Sequence, residues 1–341
     1  MRRRSLMRRS AIRISGIFLL LLVFFGIKYF CQEKSNHLKI ISFIPDFLNF
    51  WQEAENNPLE KKIALWENSF EAKHSKFYQK VIFEGLSGQE LRYLKNQKLK
   101  DFFSSLQDID VERMSIKEIE LKSLIKQGAE ALKRKFPEYK TLPDFYILPS
   151  LYTSDGAVRP YDRKFIVYFG LEVLIMKKDL SAVRALIVHE SFHGLHLGQL
   201  NEYFTINYGD QSNLFSIIHR EGLLFFAFME GLAVYATEEI YPTFPKAGLV
   251  EENILQYEKN FLLLAKEFLY DQKVSDFLKY RKYFGVPSND PTIPEKFGYW
   301  LGYRVIKELI KKYSLQEMMA WEPKKVNQMA LVTIQKMLNE T

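Results

Sequence analysis

Cysteine is nearly missing: Cys31 is the only one in 341 residues, so no disulfide can form within the chain and packing must hold the fold. Internal repeats and low-complexity tracts are also absent, so the sequence reads as an ordinary globular chain rather than an array. Net charge is lacking from most of the molecule. The formal excess of +7 sits in the first 31 residues, which carry seven basic groups and no acid, and the remainder balances 41 basic against 41 acidic residues. That balance removes the electrostatic case for nucleic-acid binding. The composition is 47% hydrophobic and 15% aromatic, and a chain of this length can bury one large core or two modest ones.

The N-terminus combines Arg2, Arg3, Arg4, Arg8, Arg9 and Arg13 with an uncharged run from Ile14 to Ile27, continued past Lys28 by Tyr29, Phe30 and Cys31. Such a segment inserts into membranes, with Lys28 able to snorkel and extend it. The stretch Gly26 to Cys31 offers no convincing pair of small residues for signal-peptidase cleavage, and bulky Phe30 argues against a lipoprotein reading of Cys31. The expectation is an uncleaved anchor through residues 14–31. The flanking arginines would keep the N-terminus in the cytoplasm and leave the rest of the chain outside, in a bacterial periplasm or at a cell surface.

From His37 to about Lys140 aromatic and aliphatic residues recur at helical spacing, as in Phe47-Leu48-Phe50-Trp51 and Leu65-Trp66-Phe70. These aromatics read as core, and no catalytic cluster accompanies them. Beyond Pro137 the texture changes: Pro143, Pro149, Gly156 and Pro160 interrupt two β-rich runs, Phe145 to Leu151 and Lys164 to Leu171. Asp179 or Ser181 can cap a following helix to about Leu197, and a second apolar helical run spans Ser212 to Glu239. Helices resume near Glu251, and after a proline-rich loop the pattern is helical again from Lys296.

The chemistry concentrates in His189-Glu190-Ser191-Phe192-His193. On a helix the two imidazoles project from one face about 6 Å apart, which suits two corners of a zinc tetrahedron, and Glu190 falls beside the metal without binding it. A carboxylate there can take a proton from water activated by the metal. In a chain with six histidines this pattern arises by chance on the order of once in a hundred sequences. A third ligand is required. His196 lies two turns along the same helix, too far to close the tetrahedron, while His219 stays open as a candidate. Glu221 and Glu230 each stand in an apolar Glu-Gly-Leu context, where coordination would make burial tolerable. Glu230 is preferred, because Gly231 and Ala233 permit close helix approach, and Glu221 is read as a supporting or substrate-site residue.

The pairing of Val188-His189-Glu190-Ser191-Phe192-His193 with Met229-Glu230-Gly231-Leu232-Ala233 resembles the gluzincin metallopeptidases, especially bacterial families described only as predicted zinc-dependent proteases. A later Gly298-Tyr299-Trp300-Leu301-Gly302-Tyr303 helix extends the likeness, which covers roughly Pro143 to Tyr313. The resemblance implies His189, His193 and Glu230 as ligands of one zinc ion per chain, Glu190 as general base, and a residue assisting the oxyanion. Tyr299 and Tyr303, four apart on one helical face, are the candidates for that role; packing through Gly298 and Gly302 is the plainer reading of both. Arg304 could bind a substrate carboxylate, though pairing with a structural acid is the plainer role. The resemblance also implies that Ile166 to Phe169 is a sheet edge on which extended peptide docks.

These readings combine into an α+β, zincin-like, mostly helical fold with a small sheet beside the metal helix. Residues 1–35 would form the basic N-terminus and membrane anchor, 36–140 a helical region, and 141–341 a metallopeptidase domain. The expected function is zinc-dependent hydrolysis of a peptide or protein substrate. The alternative is a membrane-tethered, inactive zincin-like binding protein, a descent that tends to cost the residue held here by Glu190. The oligomeric state is not legible.

Overall fold

Aromatic and β-branched runs around Pro149 and Pro160 become strands. The computed structural model describes residues 38–340, apart from 85, 107–110, 112, 140, 210–213, 245, 247, 248, 250, 273–275, 286 and 287. Strands β1 (Ile40–Ser42), β2 (Phe145–Leu148), β3 (Gly156–Tyr161) and β4 (Lys164–Gly170) form one sheet in the order β1-β2-β4-β3. β1, β2 and β4 run parallel, and β3 pairs antiparallel with β4 from Gly156 opposite Phe169 to Tyr161 opposite Lys164. The two residues that join them, Asp162 and Arg163, both have positive φ, 49° and 66°. That is the geometry a tight two-residue hairpin demands.

This order corrects one expectation. β4, which carries Ile166 to Phe169, is not a free edge, because β2 and β3 hydrogen-bond to its two sides. The edge strand beside β4 is β3, whose glycine and proline give it the texture of a loop in the sequence. β1 is likewise unforeseen, lying in a stretch whose periodicity predicts only helix.

The N-terminal aromatics pack as the spacing predicts. Helices α1 (Ile44–Ala54) and α2 (Gly88–Ser105) flank shorter segments, and Phe47, Phe50, Trp66, Phe70, Phe102 and Phe103 are buried together. Trp66 meets Phe70 with ring centroids 4.4 Å apart and Phe50 edge-on at 5.6 Å. Each such side chain contributes about 1.5–3 kcal/mol through burial.

Helix α3 (Arg113–Lys135) and the sheet sandwich α4 (Leu180–Gln199), which is apolar around most of its circumference and therefore buried. Asp179 caps α4, accepting from the Ser181 amide at 2.8 Å, worth about 1 kcal/mol. Gly194 lets α4 reach the sheet, since a Cβ there would come within 2.7 Å of Pro143 and 2.8 Å of Val167. Helix α5 (Leu214–Ile240) breaks at Gly222, where φ is 83° and ψ 175°, and packs on α4. Helices α6 (Phe277–Phe284), α7 (Phe297–Leu309) and α8 (Pro323–Asn339) complete its surroundings. α5 and α7 cross backbone on backbone: a Cβ on Gly302 would lie 1.6 Å from the Ala227 carbonyl oxygen, and one on Gly231 would lie 2.1 Å from the Gly302 carbonyl carbon.

The molecule is thus mostly helical with a small four-stranded sheet, as the sequence predicts. Among the described residues no helix is long and apolar enough to cross a membrane, and the apolar run at 14–31 lies outside them.

Candidate metal centre

Four residues of α4 separate His189 from His193, one helical turn, and both imidazoles face α5. Their Nε2 atoms lie 3.1 Å apart, and Glu230 Oε2 stands 3.2 Å from the first and 2.9 Å from the second. All three side chains are buried, and among the described residues this is the group able to hold a metal ion. Zinc bonds of about 2.0–2.1 Å to nitrogen and oxygen require tetrahedral ligands about 3.3 Å apart. The three atoms form one face of such a tetrahedron, slightly contracted, so donor set and spacing both fit.

Electrostatics sets the three donors apart. Burial drives His189 down to about 4, keeping its imidazole neutral and ready to ligate. For His193 burial pulls the same way, but the charge and hydrogen bond of Glu230, with the charge of Glu190, outweigh it and raise the pKa. Burial would raise Glu230, yet its histidine partners hold it well below the usual carboxylate range. The Nδ1 atoms of both histidines are buried without a protein partner. Packing orients the rings instead: they meet edge-on at 4.7 Å, and Tyr299 lies nearly parallel to His189 with centroids 6.2 Å apart.

Glu190 opens onto a cavity of about 300 Å³ shared with His193, Glu230, Tyr299 and strand β3. Burial, assisted by the charges of Glu230 and Asp155, pushes its pKa up to about 7, a value suited to exchanging protons near neutrality. Gly156 makes room for it, since a Cβ there would sit 3.1 Å from Glu190 Cγ and 3.0 Å from the Phe169 ring.

The other candidates are elsewhere. Tyr303 lies one turn beyond Tyr299; its hydroxyl donates to Glu238 at 2.6 Å, and it is not among the residues of the cavity wall. Arg304 lies over the rings of Trp300 and Phe261, 5.2 and 5.9 Å from their centroids. Glu221 accepts from the Tyr208 hydroxyl at the α5 break. His196 is buried with neither ring nitrogen partnered, and burial lowers it to about 3. The side chain of His219 lies outside the described residues.

Two residues of the wall escape a sequence reading. Tyr280 of α6 lines the cavity, stacked on Phe284 at 5.0 Å and edge-on to Phe226 at 5.5 Å. Arg159 of β3 lines it too, with Nε 3.0 Å from Glu84 Oε2. Only the strand identity of 156–161, had it been recognised, would have pointed to Arg159.

A geometry able to hold a metal, beside a buried carboxylate, coincides with a family match. Residues 164–328 match the family model described as Predicted Zn-dependent protease (DUF2268). The match spans α4, α5 and α7, and with them every residue of the centre, which supports the resemblance carried by the sequence motifs. No curated protein and no solved structure matches the chain.

Proposed function

We propose that the chain is a zinc-dependent peptidase that holds one zinc ion on His189, His193 and Glu230. The observation that carries this reading is the convergence of two Nε2 atoms and one carboxylate oxygen within 3.2 Å of one another beside Glu190. Zinc, when bound, supplies Lewis-acid polarisation of the scissile carbonyl and acidifies a water molecule. Glu190 accepts the proton of that water as it attacks and returns it to the departing amine. Tyr299, in the wall, is the residue proposed to donate to the developing oxyanion, a role typically worth about 3 kcal/mol. Extended peptide docks along the outer strand β3, where main-chain pairing accepts any sequence.

Residues 14–31 are proposed to anchor the chain in a membrane with the N-terminus cytoplasmic and the catalytic centre on the far side. Support for this is the arginine-flanked apolar run itself.

The test uses full-length protein in detergent, assayed for bound zinc and for cleavage of a peptide library. The expected result is one zinc per chain, loss of cleavage with a chelator, and a drop of at least about 100-fold in turnover for Glu190→Gln with zinc retained. Unchanged turnover in that variant would overturn the mechanism.

A further inference from the structure

An edge strand that recognises backbone alone does not discriminate among peptides, so the side chains of the cavity must. Among the described residues that line it, Arg159 alone carries a permanent positive charge, and it shares the wall with the carboxylates of Glu190 and Glu230. Two contacts fix its guanidinium. Nε pairs with Glu84 Oε2 at 3.0 Å by charge rather than by an aligned hydrogen bond, and Nη1 donates to the Val158 carbonyl at 2.9 Å. The carbonyl uses one of five N–H donors. Glu84 is buried and does not line the cavity, whereas Arg159 does. An arginine held this way is preorganised for a planar anion and loses little freedom on binding it.

Position along the strand gives the register. Gly156 abuts Glu190, and Arg159 lies three residues further along β3. At about 3.3 Å per residue the two backbone positions are about 10 Å apart along the strand, roughly two to three residues of a peptide paired to the same edge. We infer that Arg159, positioned by Glu84, binds a substrate carboxylate roughly two to three residues from the bond that is cleaved. The carboxylate belongs to an acidic side chain or to the end of the peptide. The inference rests on the peptidase reading of the same site.

The experiment uses full-length protein, zinc-loaded, and acetylated peptides that differ only in Glu against Gln at each position, or in a free against an amidated C-terminus. Binding is measured by fluorescence anisotropy on the Glu190→Gln variant and cleavage on the chain with Glu190 intact. The carboxylate form at one position is expected to bind and react about 10- to 100-fold better than its neutral counterpart. That advantage, read as the ratio of carboxylate to neutral peptide within each variant, should vanish in Arg159→Gln; whether the side-chain or the terminal series shows it identifies the source of the carboxylate. If loss of the charge beside buried Glu84 prevents folding, the double variant Glu84→Gln/Arg159→Gln removes both charges of the pair and serves instead. No carboxylate preference, or one that persists without Arg159, overturns the assignment. Charge-dependent binding without cleavage would remove the peptidase reading and leave Arg159 as an anion site, whereas cleavage blind to charge would remove only Arg159.

Discussion

The tripeptide Glu-Gly-Leu occurs twice in α5, at 221–223 and again at 230–232, and the two copies end in different places. In the first, Gly222 leaves the helix at φ 83°, and Glu221 receives a tyrosine hydroxyl while its carbonyl accepts from Asn327 at 2.9 Å. In the second the helix continues, Gly231 lies against the backbone of α7, and Glu230 faces two imidazoles. The comparison teaches that a buried carboxylate takes its chemistry from the element that crosses it. Identical local sequence makes a break in one place and a crossing in the other.

The widest separation between the copies should appear in metal affinity. Glu230→Ala is expected to weaken zinc binding by more than about 100-fold and Glu221→Ala by only a few fold, read by competition with a chromophoric chelator. The reverse result would move the third ligand to Glu221. Stability should separate the glycines next. Gly231→Ala forces a methyl group into the main chain of Gly302 and should cost about 3 kcal/mol or more, whereas Gly222→Ala imposes an unfavourable backbone conformation, about 1–3 kcal/mol, both measured by urea unfolding. Smaller still, Tyr208→Phe removes one of the hydroxyls that bond Glu221 and should cost about 1 kcal/mol with zinc affinity untouched.

Acidity offers the subtlest contrast, in metal-free protein. Glu221 is raised above 4.5, chiefly by burial, so the folded chain holds its proton more tightly and the contribution of this group to stability declines as pH rises past 4.5. Glu230 is lowered: burial opposes the shift, but His193 and His189 overcome it, so its contribution is present above 4.5 and disappears as pH falls. Unfolding midpoints of Glu221→Gln and Glu230→Gln against wild type should therefore diverge in opposite directions between pH 4 and pH 7. Parallel curves would mean that the two environments do not differ as described.

What the sequence displays is what lies within one helix. The one-turn spacing of His189 and His193, the offset of Glu190 and the Asp179 cap follow from α-helical geometry, and the small residues after Glu230 announce a close crossing. Sheet order is different in kind, because β4 becomes an inner strand only when the distant β2 and the hairpin partner β3 close on it. Four residues on a helix share a face but differ by about 6 Å in height, and that rise carries Tyr303 from the cavity to Glu238 while Tyr299 stays. Arg159 and Tyr280 bore no local signal, since each reaches the wall from an element whose neighbours are set by tertiary packing.

The touching backbones at Gly231 and Gly302 place a hard stop between two helices, set by atomic radii rather than by side-chain volume. Side chains facing the cleft can therefore diverge over generations without moving the carboxylate one residue before Gly231. Under the proposed function, an immovable hinge-pin of this sort separates what the chain would recognise from how it would react, and would let the first evolve while the second is kept.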